Sequence, residues 1–176
     1  MWFVIVSAVA AANPPRVGER LSSTSDEDRR RPLAIGIAIL GLILGVTAGL
    51  GSQILELLDL SDETWRIATG AVAVLAGARL LLAPIRPVPE LGRNAHALVP
   101  VVFPVLLVPE LLLLMVLWGA TEGFQSSVVA LAVAIGALRI WRTGDGGPVN
   151  RGAARLLAAL LVVVGIGLLV AGIRDV

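Results

Sequence analysis

The sequence predicts an all-α membrane protein of six transmembrane helices, built as two inverted three-helix repeats in which helices 1 and 4 are broken by proline. Three observations lead there. The 176 residues are 57% hydrophobic with a mean hydropathy of +0.90, more apolar surface than a soluble domain of this size can hide. The apolar stretches recur as six segments separated by polar, Pro-rich or Gly-rich connections. The first and fourth are interrupted at Asn13-Pro14 and, within Leu98–Leu117, at Pro100, Pro104 and Pro109.

Met1–Ala12 is apolar but only about 18 Å long as a helix, and runs into Asn13-Pro14-Pro15-Arg16. Ala10-Ala11-Ala12 resembles a signal-peptide cleavage site, but a basic leader is missing and the apolar core is short. A half-helix that breaks at Asn13-Pro14 inside the membrane is the favoured reading. Ser22–Arg31 is a charged connection, and Pro32 stands at a first-turn helix position. Leu33–Leu58 reads as the second span. Its Gly41, Gly45 and Gly49 form a flat stripe against which another helix, or a second copy of the chain, can pack closely.

Asp59–Thr64 is an acidic turn with Ser61 as the expected cap of the third span, Trp65–Ala83. Residues 84–97 form a Pro-rich linker carrying Arg86, Arg93 and His96, which divides the chain into halves 1–83 and 98–176. The fourth span is Leu98–Leu117. Each proline in it removes a backbone donor and clashes with the preceding turn. Broken helix at membrane depth is tolerated only inside protein or beside a watery cavity. Phe124–Trp141 and Ala153–Ile173 are the fifth and sixth spans, with a Gly-rich turn, Thr143–Asn150, between them. Trp2, Trp65, Trp118 and Trp141 lie near span ends, the aromatic-belt position.

Charge sorts the connections. All fourteen basic residues are arginine, and Arg16, Arg20, Arg29–Arg31, Arg86, Arg93, Arg142 and Arg151 fall on the first, third and fifth connections. Asp59, Asp62, Glu63 and Glu122 fall on the second and fourth. The positive-inside rule makes the Arg-rich loops cytoplasmic and puts both termini outside.

The candidate site lies at the breaks and comprises Asn13, Pro14, Arg16, Pro104, Pro109 and Glu110. A carboxylate at the depth of Glu110 costs several kcal/mol unless paired or protonated, which marks it as functional. If the halves superpose, Pro14 and Pro109 are equivalent, and Arg16 and Glu110 just beyond them are expected to approach each other. Such a pair suits a zwitterionic or anionic solute, or a proton carried by Glu110. The plainer alternative has Arg16 reaching the interface and Glu110 capping the amides of a half-helix. Asn13 either hydrogen-bonds a solute or simply ends its helix.

Other chemistries lack their residues. There is no cysteine for disulfides or thiolate metal sites, and the single histidine, His96, cannot build a zinc centre. A metal, a cofactor and nucleic acid are not expected, the last because no lysine or aromatic-laced basic patch is present. Nor is an enzyme: no Ser/His dyad, carboxylate pair at one depth or ligand set can be placed. The expected partners are the lipid bilayer, a small-molecule solute and a second copy of the chain.

Several stretches carry a family likeness: Pro100, Pro104 and Pro109 within P-V-V-F-P-V-L-L-V-P-E, Trp65-Arg66-Ile67-Ala68-Thr69-Gly70, Asn13-Pro14, the acidic-then-basic Asp26–Arg31, and Ala171-Gly172-Ile173. In these the chain resembles the MarC family of bacterial inner-membrane proteins, related to the LysE-type exporter superfamily. It departs from the family pattern at Pro15–Glu19, Val108, Glu110 and Thr69. The resemblance implies a plasma (inner) membrane protein exporting a small solute, an amino acid, weak acid or drug-like compound, through a midplane site between the two broken helices. The alternative is a non-transporting scaffold or accessory subunit that uses the Gly41/Gly45/Gly49 stripe.

Overall fold

The computed structural model describes residues 1–20, 26–83, 106–141 and 147–175, with the side chains of 26–32 outside that description. Pro100, Pro104, His96 and the 84–97 linker lie outside the described residues. Every element within them is helical: α1 (Trp2–Ala12), α2 (Pro14–Arg20), α3 (Asp26–Gly49), α4 (Gly51–Leu57), α5 (Asp62–Leu82), α6 (Pro109–Thr121), α7 (Phe124–Trp141) and α8 (Pro148–Asp175). Three of these, α5, α7 and α8, are long and apolar enough to cross a membrane, and the bent pair α3–α4 makes a fourth. That is consistent with a membrane protein. The expected first and fourth spans are represented by shorter pieces, α1 with α2, and α6.

The first break falls where the residues demand it. Asn13 is left-handed, at φ 41° and ψ 63°, and its N–H closes on the Val9 carbonyl at 3.0 Å. Asparagine tolerates that region better than most side chains, and a following proline disfavours the α region for the residue before it. Pro14 then opens α2 without needing its missing N–H. At the second break Val108 is extended, φ −102° and ψ 140°, and Pro109 opens α6 with Glu110 in its first turn.

The second span is not one straight helix. It bends by 62° at Leu50, between α3 and α4. The cause is the docking of α6 at the bend: a methyl group added to Gly51 would lie 2.5 Å from the Val116 carbonyl oxygen, and one on Gly119 would overlap the Ala48 carbonyl. Backbones this close admit only glycine. The third span begins as expected, with the Ser61 hydroxyl accepting from the Thr64 N–H at 3.3 Å and Asp62 and Glu63 in the first turn.

The closest helix pair is α5 with α8, which run antiparallel over a glycine seam. A Cβ on Gly70 would come within 2.7 Å of the Gly165 carbonyl oxygen, and one on Gly165 within 2.7 Å of that of Gly70. Gly77 faces Ala158 in the same way, and Gly172 faces Glu63. The Gly41/Gly45/Gly49 stripe makes no such seam within the chain. Gly41 and Gly49 have only ordinary side-chain neighbours, Ile135 and Phe124, and Gly45 has none within 4 Å. Spacing alone could not separate the two sets, because both lie at helical repeats and only the orientation of each helix decides which is covered.

The apolar core collects between α1, α3, α6 and α8, where Val4, Leu40, Leu44, Leu111, Leu114, Met115, Leu117 and Leu161 are fully buried. Leucines and valines such as Leu42, Leu75 and Val163 point outward, as expected of helices bathed in an apolar solvent. Of the four tryptophans, Trp2 and Trp141 are exposed, but Trp118 is buried and belongs to the core rather than to a surface belt. Its indole N–H donates to the Ser7 hydroxyl at 3.1 Å, a bond a buried indole requires.

The two ends of the bundle differ in sign. At one, Met1 lies 3.9 Å from Glu122, Arg66 donates to Asp175 at 2.9 Å, and Glu56, Asp59 and Asp62 ring a shallow depression. At the other, Arg16 reaches the last turn of α5 and Arg151 lies 3.6 Å from Glu19.

Candidate functional site: a cavity between the two helix breaks

The two breaks face one cavity of about 400 Å³. Asn13, Arg16, Val17 and Arg20 line it from the first break and α2, and Val108, Pro109 and Glu110 from the second. The third wall is α5 from Val72 to Leu80, so the cavity runs from the middle of that helix to its arginine-bearing end. Four of the six expected site residues, Asn13, Arg16, Pro109 and Glu110, thus come together although they are some hundred positions apart in sequence. Pro14 is buried behind the first break, and Pro104 lies outside the described residues.

Asn13 is 3% exposed. Its amide nitrogen donates to the Ala154 carbonyl at 3.0 Å, which ties the break to α8 and fixes which way the amide faces. The side-chain oxygen has no hydrogen-bond partner. On the far side Asn150 repeats the device, donating to the Pro15 carbonyl at 3.0 Å. The first break is therefore stitched to α8 from both directions.

Arg16 and Glu110 line the same cavity, but no ion pair joins them among the described residues. Arg16, 6% exposed, donates through Nη1 to the Leu80 carbonyl at 2.6 Å. That carbonyl is among the last four of α5, which have no partner within the helix, and a cation there also complements the helix dipole. The charges that act on Glu110 are Arg79 and Arg20. Glu110 sits in the first turn of α6, where the free amides of that helix favour an anion. Arg79 and Arg20 are the site residues that sequence reasoning passes over. An arginine in the last turn of a span, or in a basic connection, looks like routine charge placement, and only the packing of α2 on α7 and α8 and of α5 on α8 turns both toward one space.

Beyond the breaks the α1–α6 interface closes. Phe3 meets Trp118 edge to face, with ring centroids 5.6 Å apart, and Ser7, which donates to the Val4 carbonyl at 2.8 Å, accepts from Trp118. Leu111, Leu114 and Met115 fill the rest. The cavity and this apolar seam adjoin at the two breaks. Among the described residues no group of His, Cys, Asp and Glu could hold a metal ion.

The described residues make an α-helical protein with three helices, or four if the bent pair is one span, long and apolar enough to cross a membrane, and a polar cavity where α2 and α6 begin. No protein-family model, curated protein or solved structure matches the chain.

Proposed function

We propose that this is a six-span, inverted-repeat protein of a bacterial plasma (inner) membrane, a divergent relative of the MarC family, that exports a small solute through the cavity between its two breaks. The observation that carries the reading is the cavity itself. It joins both breaks and is lined by buried polar atoms with no hydrogen-bond partner among the described residues: Asn13 Oδ1, Arg16 Nε and Arg20 Nε. Buried polar groups are ordinarily satisfied, and a stretch of irregular backbone at membrane depth is at home beside a solute path.

The repeat has support in position and in packing. Pro14 and Pro109, Gly41 and Gly136, Gly70 and Gly165, and Gly77 and Gly172 each stand 95 residues apart. Residues 70 and 165 are also the pair that meet reciprocally across the α5–α8 seam. The packing of α3 on α6 is matched by that of α7 on α2, and α5 on α6 by α8 on α2. The arginine end faces the cytoplasm in this reading and both termini face outward, and the solute enters the cavity from the cytoplasmic side.

Two measurements test it. The chain has no cysteine, so Ala76→Cys on the cavity wall and Leu114→Cys in the closed seam can be probed singly with a membrane-impermeant thiol reagent. Position 76 should label in inside-out vesicles and position 114 in neither orientation. In proteoliposomes loaded with amino acids, weak acids or drug-like compounds, one class should leave faster than from empty-lipid controls, and Glu110→Gln should change that rate. If no solute in the panel moves, the transport reading fails and a scaffold takes its place.

A further inference from the structure

The chemistry of the vestibule points to the kind of solute, and the inference rests on the transport reading above while adding the ligand class to it. We infer that the cavity binds an oxyanion that also carries an O–H group, such as a hydroxycarboxylate or a singly protonated phosphoryl group.

The charge balance comes first. Arg16, Arg20 and Arg79 line one cavity and lie close enough for each to act on the others through charge. Glu110 is the only carboxylate among the residues lining it. Beside it Glu19 is engaged with Arg151. Among the described residues, four arginines against two glutamates leave two positive charges in excess around a space walled otherwise by Asn13 and by Ala, Val, Leu and Pro. Like charges gathered at one site repel, the more so where they are partly buried as Arg16 and Arg20 are, and an anion between them relieves that repulsion.

The unsatisfied atoms supply the geometry. Nη1 of Arg16 is committed to Leu80, but Nε of Arg16 and Nε of Arg20 are both enclosed and lack an acceptor. Arg79 makes no hydrogen bond or ion pair among the described residues. A guanidinium offers a rigid fork of donors matched to carboxylate and phosphoryl oxygens. A plain chloride fits such a fork poorly. Among the described residues lining the cavity, the remaining unpartnered atom is an acceptor: Asn13 Oδ1, whose orientation is fixed by the bond from Nδ2 to Ala154. It calls for a donor on the ligand, hence the O–H. Room is sufficient, since cavities of roughly 300 Å³ and above hold small organic molecules.

The test is direct binding, measured without transport. Purified protein in neutral-lipid nanodiscs is titrated with malate, succinate and hydrogen phosphate against chloride at matched ionic strength, by calorimetry and thermal unfolding. Malate or hydrogen phosphate should bind and raise the melting temperature above the chloride control, with malate tighter than succinate. Arg79→Gln is the informative variant because that side chain is exposed and has no hydrogen bond or ion pair among the described residues. It should weaken binding about tenfold, the loss of one charge-assisted contact, while leaving the apo melting temperature in place. Arg20→Gln should do the same, and Arg79→Lys should restore part of the affinity.

A parallel set in nanodiscs containing phosphatidylglycerol separates a free solute from a lipid headgroup. Arginine-dependent retention of that lipid with no binding of free anions keeps the oxyanion site and removes the solute reading. Anion binding with no flux in proteoliposomes also keeps the site and removes transport. The inference is overturned if neither a free oxyanion nor phosphatidylglycerol binds better than chloride, if binding survives both arginine variants unchanged, or if malate binds no better than succinate and hydrogen phosphate does not bind. Flux of a neutral or cationic solute in the absence of anion binding would likewise overturn it while sparing the transport reading.

Discussion

The cavity at the helix breaks and the α1–α6 seam beside it are built differently. The cavity carries polar atoms with no hydrogen-bond partner among the described residues, and toward the acidic end α1 and α6 close in a dry seam where Val4, Ala8, Leu114 and Met115 are fully buried. The cavity is lined by α2, α5 and the start of α6, and the seam by α1 and the rest of α6. What separates them is whether side chains can interdigitate. Small alanines and valines of α1 let the leucines of α6 fill the seam, whereas at Asn13, Pro14 and Pro109 the backbone turns aside and polar side chains line the space. The lesson is that seam and cavity adjoin at the breaks, where apolar packing gives way to amide and charged side chains.

The contrast can be tested by substitution, and the largest effect is expected in the seam. Leu114→Ala should cost about 2–5 kcal/mol, the range for a fully buried leucine leaving a void, read as a drop in unfolding free energy in mixed micelles. A loss within experimental error would mean the seam is as loosely packed as the vestibule. Asn13→Ala at the boundary should cost less, about 1–2 kcal/mol. It removes one hydrogen bond to Ala154 and places a residue with no local polar compensation at positive φ. Asn13→Gly should recover the backbone share but not the hydrogen bond. The smallest change is expected in the vestibule. Glu110→Gln keeps the shape and loses a favourable helix-terminus charge worth about 0.3–1 kcal/mol, offset by an easier desolvation. Its unfolding midpoint should shift little while its flux changes. A large fall in stability would show that the carboxylate is structural.

Much of this is legible without the fold, because it is local. A proline lacks its N–H wherever the chain goes, so the breaks at Asn13-Pro14 and Val108-Pro109 follow from the residues themselves, as do the cap at Ser61 and the bounds of α7. The apolar runs and the sorting of arginines follow from composition along the chain. Residues at both breaks line a single cavity.

What tertiary structure decides is which faces meet. Gly70, Gly77, Gly165 and Gly172 form the close seam and Gly41, Gly45 and Gly49 do not, though either set has helical spacing, because rotation about a helix axis is set by all its neighbours at once. The bend at Leu50 exists because α6 arrives at Gly51, and nothing in Leu33–Leu58 alone announces it. Arg16 satisfies the carbonyl end of α5 instead of pairing with Glu110, since the nearest unsatisfied acceptor wins over a charge farther off. Arg79 joins the site for the same reason: its place in α5 is written in sequence, but the space it faces is made by α2 and α6, which lie far from it along the chain.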